Sequence, residues 1–229
     1  NTEAEYRGIG TGSESYGVRS LLATDSSVNN SLYQNIADLY LDTYAADANH
    51  RYRKALSDLG TDFRFSCYSL RLVNSLADLS GKDVYNYEFS DVTSALVPAS
   101  VGGTPLQTML NGILYNAGVS YALTDPFSLA AAHGNDIPYI SGKVAERGGT
   151  AAQIALSTAY MKYLTEFAKT GNPNYMGGVK WDVFKTGGFI LDLAATGPTA
   201  SNAAAFSGYH KCACWNGIFD NGNMNSCSY

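Results

Sequence analysis

The four cysteines constrain the fold of this chain more than any other feature of its sequence. They are Cys67, Cys212, Cys214 and Cys227. An even number suits two disulfides, whereas a zinc site usually shows tighter Cys-x-x-Cys or Cys/His pairing. Disulfides persist in oxidising compartments. The cysteines therefore predict a cross-linked protein that is secreted or extracellular.

The composition is that of an ordinary folded domain. The 229 residues are 45% hydrophobic and 15% charged, and the formal net charge is −5. This charge gives no electrostatic reason to attract nucleic acid or an anionic membrane surface. The longest apolar runs, such as Gly187-Gly188-Phe189-Ile190-Leu191, fall far short of the roughly 20 residues of a membrane helix. We expect neither a nucleic-acid partner nor a membrane span.

The amino-terminal residues predict a processed and glycosylated protein. The first six residues, Asn1-Thr2-Glu3-Ala4-Glu5-Tyr6, have neither an initiator methionine nor the regions of a signal peptide. The chain is therefore expected to begin after a cleavage or truncation. Asn29-Asn30-Ser31 is a sequon in a polar stretch, which makes Asn29 a candidate glycosylation site.

Hydrophobic periodicity predicts a mixture of helices and short strands. The predicted helices cover 31–44, much of 52–76 with a break near Gly60, 106–114, 151–169 and 203–219. The predicted strands cover 84–89 and 189–193, and an irregular excursion runs from 90 to 125. Because strands alternate with helices and no linker divides the chain, the sequence predicts a single α/β domain.

A histidine segment and its neighbours resemble a known enzyme family. Ala132-His133-Gly134-Asn135-Asp136-Ile137-Pro138-Tyr139 resembles the segment that contains the catalytic histidine of type-B carboxylesterases. Upstream, Val84-Tyr85-Asn86-Tyr87-Glu88-Phe89 is similar to the family's Val-Tyr-x-Tyr-x-Phe strand. Downstream, Glu166 to Asn174 followed by Trp181 is similar to its Phe-x-x-x-Gly-x-Pro-Asn … Trp segment. The resemblance implies the carboxy-terminal part of a cholinesterase-like α/β-hydrolase, with His133 as its catalytic histidine. Asp136 and Trp181 mark the family, and capping or core packing is expected of them.

The resemblance also implies a disulfide pairing. Cys212-Ala213-Cys214-Trp215-Asn216 resembles the Cys-x-Phe-Trp-Asn near the end of cholinesterase domains. In that family this cysteine bonds one in a segment like Phe65-Ser66-Cys67, which implies a Cys67–Cys212 bridge. Cys214 departs from the family pattern, and with Cys227 thirteen positions away it is expected to close a local loop.

The amino terminus resembles the segment of the family acid. The amino-terminal residues are similar to Asp-Glu-Gly-x-x-Phe, with Glu3 as the acid, Ala4 replacing Gly and an aromatic residue, Tyr6, one position before the place of Phe. Glu5 is the competing candidate, and the alternative for both is a solvated acid at a terminus. In the implied triad, Glu3 orients the imidazole and His133 transfers the proton.

The nucleophile of such a triad is absent from this sequence. It belongs in Gly-x-Ser-x-Gly at a strand-to-helix turn, and Ser13-Glu14-Ser15-Tyr16-Gly17 lacks the first glycine. Ser15 also follows the acid, so we reject it. The glycine-rich oxyanion-hole loop is missing as well. Residues 1–229 are therefore expected to form the carboxy-terminal portion of a single α/β-hydrolase domain, completed by a separate amino-terminal chain of the same precursor that carries the serine.

The resemblance implies hydrolysis of a carboxylic ester, with a neutral or apolar ester as substrate. The reaction passes through an acyl-enzyme and needs no metal or organic cofactor. The main rival is a non-catalytic adhesion or binding protein, since some relatives keep the fold and lose the triad. A second rival, a small structural domain that stands alone, would leave central strands unpaired.

Overall fold

The structure is a computed structural model that describes residues 30–47, 51–79, 81–94, 131, 134–185, 187–222 and 227. For residues 30–33 and 53 the backbone alone is described. The chain divides into two compact units. Unit 1 contains Asn1–Leu72, Gly112–Asp125 and Ala205–Tyr229, and unit 2 contains Val73–Asn111 and Pro126–Ala204.

The secondary structure is mixed. The helices are α1 Asn30–Thr43, α2 Arg51–Thr61, α3 Cys67–Leu79, α4 Ile137–Ile140, α5 Ala151–Thr170, α6 Ala203–Tyr209 and α7 Cys212–Asn221. The strands are β1 Asn86–Phe89, β2 Phe189–Ala194 and β3 Gly197–Asn202. Within the described residues, none of the helices is both long and apolar enough to cross a membrane. The α/β class predicted from the sequence is confirmed at this level.

Unit 1 is built from helices around an aromatic core. Its α1 packs on α2, and a π-helical turn, Asp62–Ser66, joins α2 to α3 and contacts α7. The ring of Trp215 lies 5.2 Å from that of Phe63 and 5.7 Å from that of Phe219, measured between centroids. Trp215 and Tyr40 are almost completely buried. This core removes a large aromatic surface from water, which is the main stabilising term of such a packing.

Two predictions for unit 1 need correction. The helical backbone is not broken near Gly60, because α2 continues through it and a π-helical turn over Asp62–Ser66 leads into α3. The single helix predicted over 203–219 is two helices, α6 and α7. They are separated at Lys211, which adopts the left-handed conformation with φ 54°. Periodicity alone cannot reveal such a local departure, since the apolar spacing is preserved on both sides.

Both disulfides lie in unit 1. Cys67 bonds Cys212 with a Cα–Cα distance of 5.1 Å, and Cys214 bonds Cys227 with a Cα–Cα distance of 4.2 Å. These are the two pairings expected from the sequence. The first joins residues 145 positions apart and ties the start of α3 to the start of α7.

Unit 2 contains a three-stranded sheet in the order β1-β2-β3. β1 pairs with β2 in parallel, and β2 pairs with β3 in the antiparallel direction. The predicted strands at 84–89 and 189–193 are confirmed with small shifts of their ends. β3 was not predicted because Gly197 and Pro198 are rare inside strands, although an edge strand tolerates proline.

α5 covers this sheet and is the helix predicted over 151–169. It begins with a capping box, in which Thr150 and Gln153 exchange side-chain and backbone hydrogen bonds. It ends at Gly171, whose φ of 76° is the left-handed conformation that favours glycine. Its buried face contacts β2 and β3. The core of unit 2 consists of Tyr139, Val144, Leu156, Tyr160, Tyr163, Trp181, Leu191 and Leu193.

Trp181, one of the family markers, belongs to this core. Its indole N–H donates to the backbone oxygen of Asn86 at 2.9 Å. Its backbone N–H donates to Asn174 Oδ1 at 2.7 Å, and Asn174 Nδ2 donates to the Trp181 carbonyl at 2.9 Å. Asn174 and Trp181 therefore hold each other, and Trp181 also bonds β1, which confirms the core-packing role expected of Trp181.

Candidate active site

The predicted catalytic residues lie outside the described residues. This applies to His133, to both candidate acids, Glu3 and Glu5, and to the rejected Ser15. Asn29, the candidate glycosylation site, is outside as well. The description resumes at Gly134, immediately after the histidine. What the structure shows is therefore how the chain that leaves His133 is held.

The chain leaves His133 through a tight turn. Gly134 has φ 85°, a left-handed conformation that costs other residues energy. Its carbonyl accepts from the N–H of Ile137 at 3.2 Å, and the one-turn helix α4 follows directly. Asp136 occupies the N-cap position of α4 without a side-chain capping bond. Asp136 therefore precedes the helix but does not cap it with its carboxylate, contrary to the capping role that the sequence suggested.

The side chain of Tyr139 anchors this turn in the core of unit 2. Tyr139 is completely buried, and its hydroxyl donates to Asp91 Oδ2. Its ring packs against Phe89 at a centroid distance of 4.9 Å. Ser157 Oγ on α5 donates to the Tyr139 carbonyl at 2.7 Å. Burial, followed by the bond to Asp91, raises the pKa of the Tyr139 hydroxyl, so this group stays a neutral donor.

A second histidine, His210, is buried in unit 1 beside a carboxylate. Its Nδ1 lies 2.6 Å from Asp62 Oδ1, and Asp62 Oδ2 accepts from the Tyr40 hydroxyl at 2.6 Å. Trp215 Nε1 donates to the same Tyr40 oxygen at 2.7 Å. Burial raises the pKa of Asp62, while the bond and the charge of His210 oppose this rise. This geometry is the hydrogen bond of an acid–histidine pair.

The pairing of His210 with Asp62 was not predicted from the sequence. The signal was available in the cysteines, because Asp62 lies five positions before Cys67 and His210 lies two positions before Cys212. A bridge between these cysteines brings both segments together. His210 is only 5% exposed and Asp62 only 3%. A general base must reach the proton that it takes from a nucleophile, and a ring this deeply buried is better suited to joining the π-helical turn to the residues between α6 and α7.

A metal centre finds no support in the described part of the chain. Within those residues, no three or more His, Cys, Asp or Glu side chains are grouped so that they could hold a metal ion. All four cysteines are engaged in disulfides.

Comparison with known proteins places the chain in a family. Acetylcholinesterase of Gallus gallus is 28% identical over 152 residues, which amount to 65% of this chain and 16% of that protein. The chain thus spans well under half the length of this relative. The model of the carboxylesterase family matches residues 12–211. That range contains His133, His210 and Asp62, and it begins after Glu3 and Glu5. Since it covers most of the 229 residues, the chain belongs to the carboxylesterase family.

Proposed function

We propose that this chain supplies the histidine and the acid of a serine carboxylic ester hydrolase. The observation that carries the proposal is the segment that follows His133. It lies within the range matched by the family model and leads into a turn anchored to a buried core. Catalysis needs such anchoring, because a reacting group must be held within a fraction of an ångström of its productive position.

The proposed reaction follows the chemistry of an acyl-enzyme. His133 takes the proton of a serine hydroxyl as this oxygen attacks the ester carbonyl, and then returns the proton to the departing alcohol. Water, activated by the same imidazole, hydrolyses the acyl-serine and releases the carboxylic acid. Glu3 accepts a hydrogen bond from the other imidazole nitrogen and stabilises the imidazolium. A neutral or apolar ester fits this chemistry and needs no cofactor.

The serine and the oxyanion hole are proposed to come from an amino-terminal chain of the same precursor. Neither Gly-x-Ser-x-Gly nor a glycine-rich oxyanion loop occurs in this sequence. The alignment with acetylcholinesterase of Gallus gallus covers 16% of that protein, which leaves room for a large additional segment. β1 and β2 form a parallel pair, and parallel pairs occur in sheets that are covered on both faces. A further chain would complete such a sheet.

Mass spectrometry of the native protein tests this partner. The intact assembly is weighed first, and then its components are separated under denaturing and reducing conditions. We expect a second polypeptide of roughly 30–40 kDa, the size that would bring the assembly to that of a large catalytic domain. A fluorophosphonate should label a serine in it. If this chain is found alone and no serine is labelled, a non-catalytic binding protein becomes the better account.

Substitution of each histidine tests the catalytic assignment. The chain has three histidines, so His133→Gln, His210→Gln and His50→Gln form a matched set. In the native assembly, we expect His133→Gln to lower kcat for p-nitrophenyl butyrate by roughly 10²–10⁴-fold, the usual contribution of a general base. We expect His210→Gln to lower the melting temperature and to leave kcat of the folded protein near that of the wild type. His50→Gln is the control. Activity that survives His133→Gln but not His210→Gln would reassign the catalytic histidine.

The acid is tested in the same way. Glu3→Gln should lower kcat by up to about 10⁴-fold, the loss seen when the acid of a triad no longer orients its histidine. Glu5→Gln is the matched control, and the opposite result would make Glu5 the acid.

Secretion and glycosylation at Asn29 are part of the proposal. The two disulfides support an oxidising compartment. Treatment of the secreted protein with an N-glycosidase should reduce its mass, and Asn29→Gln should abolish this change. A protein whose mass does not change with the enzyme would contradict the proposed modification.

A further inference from the structure

Asp91 is a fully buried carboxylate directly beyond the end of β1. It has no exposed surface, and it lies two residues after Phe89. A buried carboxylate is costly unless hydrogen bonds satisfy it. Thr93 supplies two donors to Asp91 Oδ1, its backbone N–H at 2.8 Å and its hydroxyl at 2.6 Å. The other oxygen accepts from the Tyr139 hydroxyl. The carboxylate therefore joins the end of β1 to the turn that follows His133.

The same region is tied to α5. Gln153, which is 3% exposed, donates to the carbonyl and to the hydroxyl oxygen of Thr93, both at 3.1 Å. Its own Oε1 accepts from the N–H of Thr150 at 2.8 Å. Ser157, one turn further along α5, donates to the Tyr139 carbonyl. The strand, the turn and the helix thus share one buried polar network.

This network does more than satisfy buried groups. Apolar side chains could fill the same volume, and a buried polar network that is fully satisfied specifies one arrangement of the elements that it joins. Here the elements are the strand that precedes the histidine segment and the turn that follows it. The turn is short, since Gly134 and Tyr139 are five positions apart and α4 begins three positions after Gly134.

We propose that Asp91, acting through Tyr139, is a positioning residue for His133. This inference rests on the proposed esterase function. Loss of the Asp91–Tyr139 bond allows the turn to shift, and a displacement of about 1 Å at a reacting group can cost roughly 10²-fold in rate. Asp91 and Tyr139 are both completely buried, so the loss should appear in kcat while KM stays nearly constant.

Tyr139→Phe is the sharpest test because it removes one oxygen atom and keeps the ring. Tyr163→Phe is its matched control. Tyr163 is equally buried in the same core, and its hydroxyl donates at 2.7 Å to the Val179 carbonyl, which is not part of the histidine turn. In the native assembly, we expect both variants to lower the melting temperature to a similar extent. Only Tyr139→Phe should lower kcat, by 10- to 100-fold.

Asp91→Asn and the double variant Asp91→Asn/Tyr139→Phe complete the experiment. If the two residues act as one unit, the double variant should lose no more kcat than the worse of the two single variants. The pH at which kcat/KM is half-maximal should also move in Tyr139→Phe, since a displaced imidazole changes its contact with the acid, and should stay constant in Tyr163→Phe.

The outcomes separate this inference from the proposed function. If His133→Gln is inactive while Tyr139→Phe and Tyr163→Phe both keep the kcat of the wild type, the esterase assignment stands and the positioning role is wrong. If His133→Gln retains full activity, the proposed function itself fails. Equal losses of kcat in Tyr139→Phe and Tyr163→Phe would reduce the network to a general stabilising role and would also overturn the inference.

Discussion

The two units each bury a carboxylate that accepts a hydrogen bond from a tyrosine hydroxyl, and the two carboxylates differ in how they are satisfied. In unit 1, Asp62 takes its partners from distant parts of the chain, namely Tyr40, 22 positions away, and His210, 148 positions away. In unit 2, Asp91 takes two donors from Thr93, two positions away, and one from Tyr139. Asp62 therefore depends on the long-range fold, whereas two of the three hydrogen bonds to Asp91 come from a residue two positions away.

The comparison shows that a histidine–carboxylate bond does not by itself identify a catalytic pair. His210 and Asp62 have the required 2.6 Å contact, but both are almost completely buried and lie next to the disulfide that joins α3 and α7. His133 has the sequence context of a catalytic residue and is followed by a turn anchored through Asp91. We interpret the pair in unit 1 as a structural bond and the network in unit 2 as support for the segment that we propose to be catalytic.

The largest loss of stability is expected when the disulfide that joins distant parts of unit 1 is removed. Removing the Cys67–Cys212 bridge by Cys67→Ser/Cys212→Ser should lower the free energy of unfolding by about 5 kcal/mol, from the loop-closure entropy of the unfolded chain. Removing the local bridge by Cys214→Ser/Cys227→Ser should cost about 3 kcal/mol, because its loop is much shorter. Urea unfolding measures both, and hydrogen exchange should show the larger loss of protection in α3 and α7. Equal effects of the two pairs would contradict the comparison.

The next largest loss of stability is expected when Asp62, the buried carboxylate of unit 1, is replaced. Asp62→Ala leaves Tyr40 and His210 without their acceptor and should lower the stability by about 3 kcal/mol, as for other broken buried pairs. Asp58→Ala is the matched control, since Asp58 also accepts from a tyrosine hydroxyl, that of Tyr44, in a half-buried position. Its effect should be clearly smaller. Thermal unfolding compares the two, and similar losses would show that burial does not set the strength of these pairs.

A smaller effect is expected at the start of α5 in unit 2. Thr150→Ala removes the side-chain acceptor of the capping box and should cost about 1 kcal/mol. Thr158→Ala, on the exposed face of the same helix, is the control and should be nearly neutral, because its hydroxyl only donates back to the Ile154 carbonyl. Both values come from the denaturation midpoint. A neutral Thr150→Ala would show that the Gln153 network holds the helix end without the cap.

The smallest expected effect is a pH dependence of the stability that arises from Asp62 in unit 1. Burial raises the pKa of Asp62 above that of an unfolded aspartate. A carboxyl whose pKa is raised in the folded state stabilises the protein below the unfolded value, and this contribution is lost as the pH rises through the folded value. The wild type should therefore lose stability relative to Asp62→Asn as the pH rises from about 4. Melting temperatures of the two proteins across that range measure it. A constant or increasing advantage of the wild type would contradict the direction of the shift.

Local patterns predicted much of the fold, and the reasons are visible in particular elements. The sequence predicts α5 almost to the residue because its apolar spacing and its end at Gly171 depend on neighbouring positions. β3 was missed because its glycine and proline argue against a strand, and only pairing with β2 makes it one. The π-helical turn at Asp62–Ser66, which contacts α7, has no signal that helical periodicity can detect.

The sequence by itself determined the α/β class, the limits of α5, the presence of two disulfides and the His133 segment that resembles a carboxylesterase, because each of these depends on local periodicity, residue counts or a short motif. Only the tertiary structure decided that His210 pairs with Asp62 and that Asp91 holds Tyr139. The physical reason is that a hydrogen bond between buried groups depends on where the backbone places them. In unit 1 that placement results from the bridge between α3 and α7 and the left-handed residue Lys211, and in unit 2 from the packing of a strand, a turn and a helix.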